Sequence, residues 1–420
     1  MLRTLFMTLL AIFLSAPASA QLAVRGGKIY TMAGPVVEEG IVIIREGKIS
    51  AIGKAADIAV PDGFKVLEAA VVTPGLIDAH SVVGLAGYFN QKHDQDQLER
   101  SSPIQPELRA IDSYNTREPL IEWVRGYGVT TLHTGHAPGE LISGQTMIVK
   151  TRGNTVDEAI LVPTAGIALT LGPSSTHGGG KSPGSRGKQM AMLRAKLLEA
   201  KAYLESLEKA AKPAGEKEKE KTEGKLEKKN ARPPVNLALD ALASALRREV
   251  PLVVTAHRAQ DIASALRLSR EFNLRIILDG GAESYLLIEE LKKADVPVIL
   301  HPSMARFNGE LENASFETAS RLKKAGIRVT IQSGYESYVP KTRVVLFEAA
   351  VAAANGLGLE GALELITSSA AGVLGISDRV GSLAVGKDGD LALFDGDPFE
   401  YTSHCIGTVI EGQVVSESKR

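Results

Sequence analysis

Hydrophobic positions fall into two styles after residue 20. LAVRGGKIYTM, GIVIIREGKISAIG and KVLEAAVVTPG alternate apolar and polar residues between glycine turns at Gly26-Gly27, Gly47 and Gly53. Period two between turns is the pattern of antiparallel strands with one buried face. The same style returns in VGSLAVGKDGDLALFDGD and GTVIEGQVV. These stretches predict one composite β-sandwich, built from residues 21–73 together with residues 377–420.

Between them, short uniformly apolar runs alternate with amphipathic stretches. Strands are predicted at residues 76–80, 129–133, 146–150, 167–171, 252–256, 274–278, 297–300 and 327–331. Helices are predicted at residues 117–127, 190–207, 237–249, 261–272, 284–294, 315–325 and 344–354. Runs that are apolar throughout suit strands buried on both faces, as in parallel sheets covered by helices. Eight of them predict an α/β fold, a (β/α)8 TIM-type barrel over residues 74–376. The run at 146–150 follows 129–133 with no helix between, so it is either a barrel strand or a hairpin excursion.

Two segments depart from this plan. Residues 209–234 mix Lys and Glu with no apolar face and cannot bury a core, so they read as a solvated insertion. Residues 1–20 have a basic start, an apolar run and a small-x-small site at Ala18-Ser19-Ala20. That is the pattern of a secretory signal peptide cleaved near Ala20, which places the mature protein in the periplasm or outside the cell with no membrane anchor. The sole cysteine, Cys405, rules out an internal disulfide and reads as a small buried hydrophobe. With 48 basic against 49 acidic residues, the 420-residue chain carries no electrostatic footprint for nucleic acid.

The chemistry is announced by VVTPGLIDAHSVVGL at residues 71–85. With GVTTLHTG, ISGQTMIVKTRG, PLVVTAH and the closing GSLAVGKDGDLALFDGDPF, it resembles the amidohydrolase superfamily, and its imidazolonepropionase-like branch in particular. The resemblance spans nearly all of the chain after residue 20. It implies zinc or another divalent metal at the barrel mouth, polarising a carbonyl and activating water against a C–N bond. The implied ligands are His-x-His on strand one, a His on strand five, a His on strand six and an Asp on strand eight. His80 and His257 match two of these. Val82 stands at the second strand-one position, Gly280-Gly281 at strand six and Gly334 at strand eight. The ligand set is thus degraded, with three of five positions replaced.

Other residues are candidates to restore the chemistry. His133, His136, His177 and His301 lie at or just beyond proposed strand ends, where barrel sites are built. They are candidate metal ligands beside His80 and His257. Asp279 and Glu336 are candidate general bases, although period two directs Asp279 away from the face of the expected ligand. Tyr335 and Tyr338 are candidate substrate contacts. Two functions follow. One is an exported hydrolase of non-peptide or dipeptide-like amides. The other is a catalytically silent barrel that binds a small ligand without a metal, or pairs with an active relative. A homodimer is a further expectation.

Overall fold

The computed structural model describes residues 21–89, 91–211, 233–300, 307–334 and 345–420. The apolar start, most of the charged insertion, His301, Tyr335, Glu336 and Tyr338 lie outside the described residues. Strands β1 (Gln21–Ile29), β2 (Val37–Arg45), β3 (Lys48–Lys54) and β4 (Lys65–Pro74) lead directly into β5 (Leu76–Ser81). Then come β6 (Val129–Gly135), β7 (Ile142–Lys150), β8 (Ile160–Thr170), β9 (Leu252–Ala256), β10 (Ile276–Gly280), β11 (Val298–Leu300) and β12 (Val329–Ile331). The last strands are β13 (Leu391–Phe394), β14 (Cys405–Ile410) and β15 (Gln413–Ser416).

Two sheets result. A seven-stranded sheet has the order β15-β14-β13-β4-β1-β2-β3, so strands from distant parts of the sequence share it. Its core contains Val24, Ile44, Val72, Leu391 and Val409. Cys405, on β14, is buried and packs with the large barrel core. The second sheet has eight strands in the order β12-β11-β10-β9-β8-β7-β6-β5 and curls into a nearly closed TIM-type barrel. Its two edges meet where the Ser333 amide donates to Asp78 Oδ1 at 3.0 Å, beside a second bond from the Ser333 hydroxyl.

The strands are not all parallel: the run at 146–150, read from sequence as a barrel strand or a hairpin excursion, is a barrel strand entered through a hairpin. β7 runs antiparallel to both β6 and β8. Only residues 136–141 separate β6 from β7, too few for a crossover helix, so a hairpin forms. β8 is also longer than expected because its first half pairs with β7.

Barrel strands show a clear division of faces. On β10, Ile276 and Leu278 join the large core beneath the surrounding helices, while Ile277 packs with Ala79, Ile299 and Val373. Val373 belongs to the helix Ser368–Leu374, which was not expected from sequence and packs on this inner apolar layer. The interior above that layer is polar.

Candidate active site

The polar layer begins with His80 at the end of β5. A register irregularity between Asp78 and Ser81 accompanies its placement. His80 Nδ1 lies 3.1 Å from Asp279 Oδ1, and both side chains are fully buried. Asp279 therefore faces into the barrel, contrary to the period-two expectation. The reason is parity: Ile276 and Leu278 take the outer face, so Ile277 and Asp279 take the inner one. Asp279 also accepts from Thr255 Oγ1 at 2.7 Å and from Gln332 Nε2 at 2.6 Å. Burial alone would raise this carboxyl. The electrostatic attraction and hydrogen bond between Asp279 and His80, with the bond from Thr255, outweigh that and hold it below the ordinary carboxylate range.

His133 stacks on His80 with ring centroids 5.2 Å apart. Its Nδ1 meets the Ala79 carbonyl at 2.6 Å and its Nε2 meets Thr146 Oγ1 at 2.7 Å. Burial, reinforced by His80, pushes its pKa down to about 3, so the ring is neutral. Asp78, fully buried beneath, is pushed up to about 6 by desolvation despite its bonds from Ser333.

Three further histidines stand at the strand-end mouth. His257 follows β9 and its ring lies against Gly280: a Cβ there would fall 2.6 Å from His257 Cε1. Burial lowers the His257 pKa against the opposing pull of Glu310, Asp279 and Asp261. His136 follows β6, rests on Gly144 and is pushed down to about 4 by burial. Val82 lies in a small apolar cluster with Ala86 and Ala137. His177, in the connection after β8, is 21% exposed at its side chain and places Nε2 at 2.8 Å from Glu140 Oε2. The Glu140 side chain is wholly buried, and Arg100 Nη1 stands 3.9 Å from its other oxygen.

These contacts sort the sequence candidates. Asp279, His80 and His133 come together in one buried network. His257, His136 and His177 stand at the mouth. Asp78, Glu140, Thr146, Thr255, Gln332 and Ser333 were not singled out from sequence. Asp78 lay inside the LIDAH motif, but Glu140 carried no signal before the loop was folded. The donors themselves decide the fit to a divalent cation. His133 has both nitrogens engaged, Val82 offers no lone pair, and among the described residues no three His, Cys, Asp or Glu converge on one point. The described donors alone do not assemble the closed centre that three or four protein ligands would make.

Residues 314–416 match the model of the amidohydrolase family. A crystal structure of an amidohydrolase from Thermotoga maritima superposes with a TM-score of 0.84 at 26% identity, covering 94% of this chain and all of that one. The chain belongs to the amidohydrolase superfamily. The chain is also 24% identical to the imidazolonepropionase of Porphyromonas gingivalis over 417 residues, 93% of this chain and 91% of that protein. It is 23% identical to the amidohydrolase tasK of Hapsidospora irregularis over 399 residues, 90% of this chain but only 39% of that longer relative. Membership supports a hydrolase acting on C–N bonds.

Proposed function

We propose that this protein cleaves a C–N bond in a non-peptide or dipeptide-like amide, at the strand-end mouth of the barrel. The observation that carries the reading is the His177–Glu140 pair. A carboxylate only accepts hydrogen bonds, so the imidazole nitrogen facing it carries the hydrogen and Nδ1 keeps the lone pair. His177 Nδ1 then takes a proton from the attacking water. The water oxygen bonds to the carbonyl carbon, the C–N bond breaks, and the proton passes to the leaving nitrogen. Glu140 holds the ring in one tautomer and offsets its charge while it is protonated, as a buried carboxylate does in a triad.

The resemblance implies a divalent metal, zinc foremost. The described donors do not complete a site for it. Export with cleavage near Ala20 and association into a homodimer belong to the same proposal, as does a small-molecule substrate. The relatives favour hydrolysis over the silent barrel.

The test is a panel of N-acyl amino acids, dipeptides and cyclic amides offered to the purified full chain, with bound metal measured on the same sample. Hydrolysis is expected, with His177→Ala reducing kcat about a hundredfold or more. A folded protein inert towards the entire panel, with or without added zinc, would establish the silent barrel instead.

A further inference from the structure

The base of the barrel, where chains enter β9 to β12, carries a feature that the mouth does not need. A cavity of about 580 Å³ opens there between Pro251, Arg275, Pro297 and Arg328. Its floor is apolar, with Ile277 and Val373 only 5% and 8% exposed. Its rim is cationic: Arg248, Arg270, Arg275, Lys293 and Arg328 line it, against the single carboxylate of Asp295. Arg328 pairs with Asp295 at 3.1 Å. Among the described residues, the other four cations have no carboxylate within ion-pair distance. The chain as a whole balances 48 basic against 49 acidic residues, so this excess is local.

Helix capping explains part of the arrangement. Arg248 Nη1 donates to the Asn273 carbonyl at 2.9 Å, Arg275 Nη1 to the Arg248 carbonyl at 3.1 Å, and Arg328 Nη2 to the Asp295 carbonyl at 3.0 Å. Basic groups suit such carbonyls. Each guanidinium has five N–H donors, however, and the carbonyl bonds leave most of them over. They also fix the rim in advance, which lowers the entropy lost when a ligand binds. Backbone conformation adds a second observation. Arg248, Asn273 and Asp295 have φ of 63°, 52° and 49°, and all three border the cavity. Glycine would fill such left-handed positions without the cost of roughly 1–2 kcal/mol that a side chain incurs. Asn and Asp are the usual non-glycine choices there, so capping accounts for Asn273 and Asp295 but not for the charged Arg248.

We propose that this cavity binds a small multivalent oxyanion, a phosphate or a polycarboxylate, with anionic oxygens on the guanidinium rim and any carbon body on the apolar floor. The site lies at the end of the barrel opposite the proposed reaction centre, so it stands whether or not hydrolysis is found. The experiment is calorimetric titration of the full chain with inorganic phosphate and, separately, with citrate, at low and at high ionic strength. Saturable binding that weakens with salt is expected from at least one probe. Which probe binds assigns phosphate, carboxylate or oxyanions generally. Arg275→Gln should weaken it about tenfold, the worth of one charge-assisted hydrogen bond. Should that variant misfold, Lys293→Gln serves, because Lys293 is exposed and makes no ion pair among the described residues; a loss of several-fold is expected. No saturable binding of either probe, or binding indifferent to the substitution in a folded protein, overturns the proposal.

Discussion

Two buried imidazoles make the acid limb of this protein's stability readable at the level of single residues. His136 is lowered to about 4 and His133 to about 3, in each case chiefly by burial. The unfolded chain titrates both near 6.5, so below that pH the unfolded state binds more protons than the native one. Their stabilising contribution is complete above about pH 6.5 and is lost as pH falls through the native values. For His136 the shift corresponds to about 3 kcal/mol. Replacing it by Phe keeps a ring against Gly144 and removes the titration. Urea melts from pH 7 to pH 4 should therefore fall less steeply for His136→Phe than for the parent; parallel curves would remove His136 from the account. At this scale the sequence marked the histidines but not their partners. Thr146, Gln332 and Asp78 are spread along the chain, and nothing in a linear pattern tells which of them the curled sheet brings to His133, Asp279 and Ser333.

Elements were more legible than contacts, because strand and helix periods are local. The uniformly apolar runs became β5, β6, β9, β10, β11 and β12, and the long amphipathic stretch became the helix Arg186–Ala211. The direction of β7 depended on how many residues connect it to β6. The helices Gly358–Leu365 and Ser368–Leu374 went unread because GLGLEGALEL and SSAAGVL are rich in Gly, Ser and Ala, and each is only seven or eight residues long. The inward face of β10 was also misread, since a choice between two parities needs the neighbouring strand. Gly280 ends that strand at φ 86°, with the His257 ring occupying the space of a Cβ. Gly280→Ala should therefore move His257 as well as strain the turn. The expectation is a stability loss of about 1–3 kcal/mol and, if hydrolysis is found, a lower kcat/KM. An unchanged melting midpoint with a His257 ring resonance at its parental shift would remove this constraint.

At the scale of the whole molecule, the seven-stranded sheet and the barrel are joined by a buried ionic cluster rather than by apolar contact alone. Lys150, on β7, is 2% exposed at its side chain and contacts Asp388 at 2.9 Å and Asp390 more closely. Arg379 holds Asp388 at 2.9 Å and Glu411 at 3.1 Å, and Arg152 also reaches Glu411. Burial raises Asp390 even with Lys150 beside it, whereas Asp388, with three cations, sits below its usual value. Removing the lysine leaves Asp390 without its cation in a site closed to water. Lys150→Met fills similar volume, so the effect isolates charge, and a loss of about 3–5 kcal/mol is expected near pH 7. The sign with pH follows from linkage. Loss of Lys150 lifts Asp390 further above its unfolded value, so the native variant takes up a proton that the unfolded chain does not hold. The deficit should shrink as pH falls towards 4 and the carboxyl becomes neutral. Denaturant melts of parent and variant at several pH values between 7 and 4 would show this convergence. A deficit constant across that range would mean that Lys150 acts through packing, and that the two sheets are not held together by this charge.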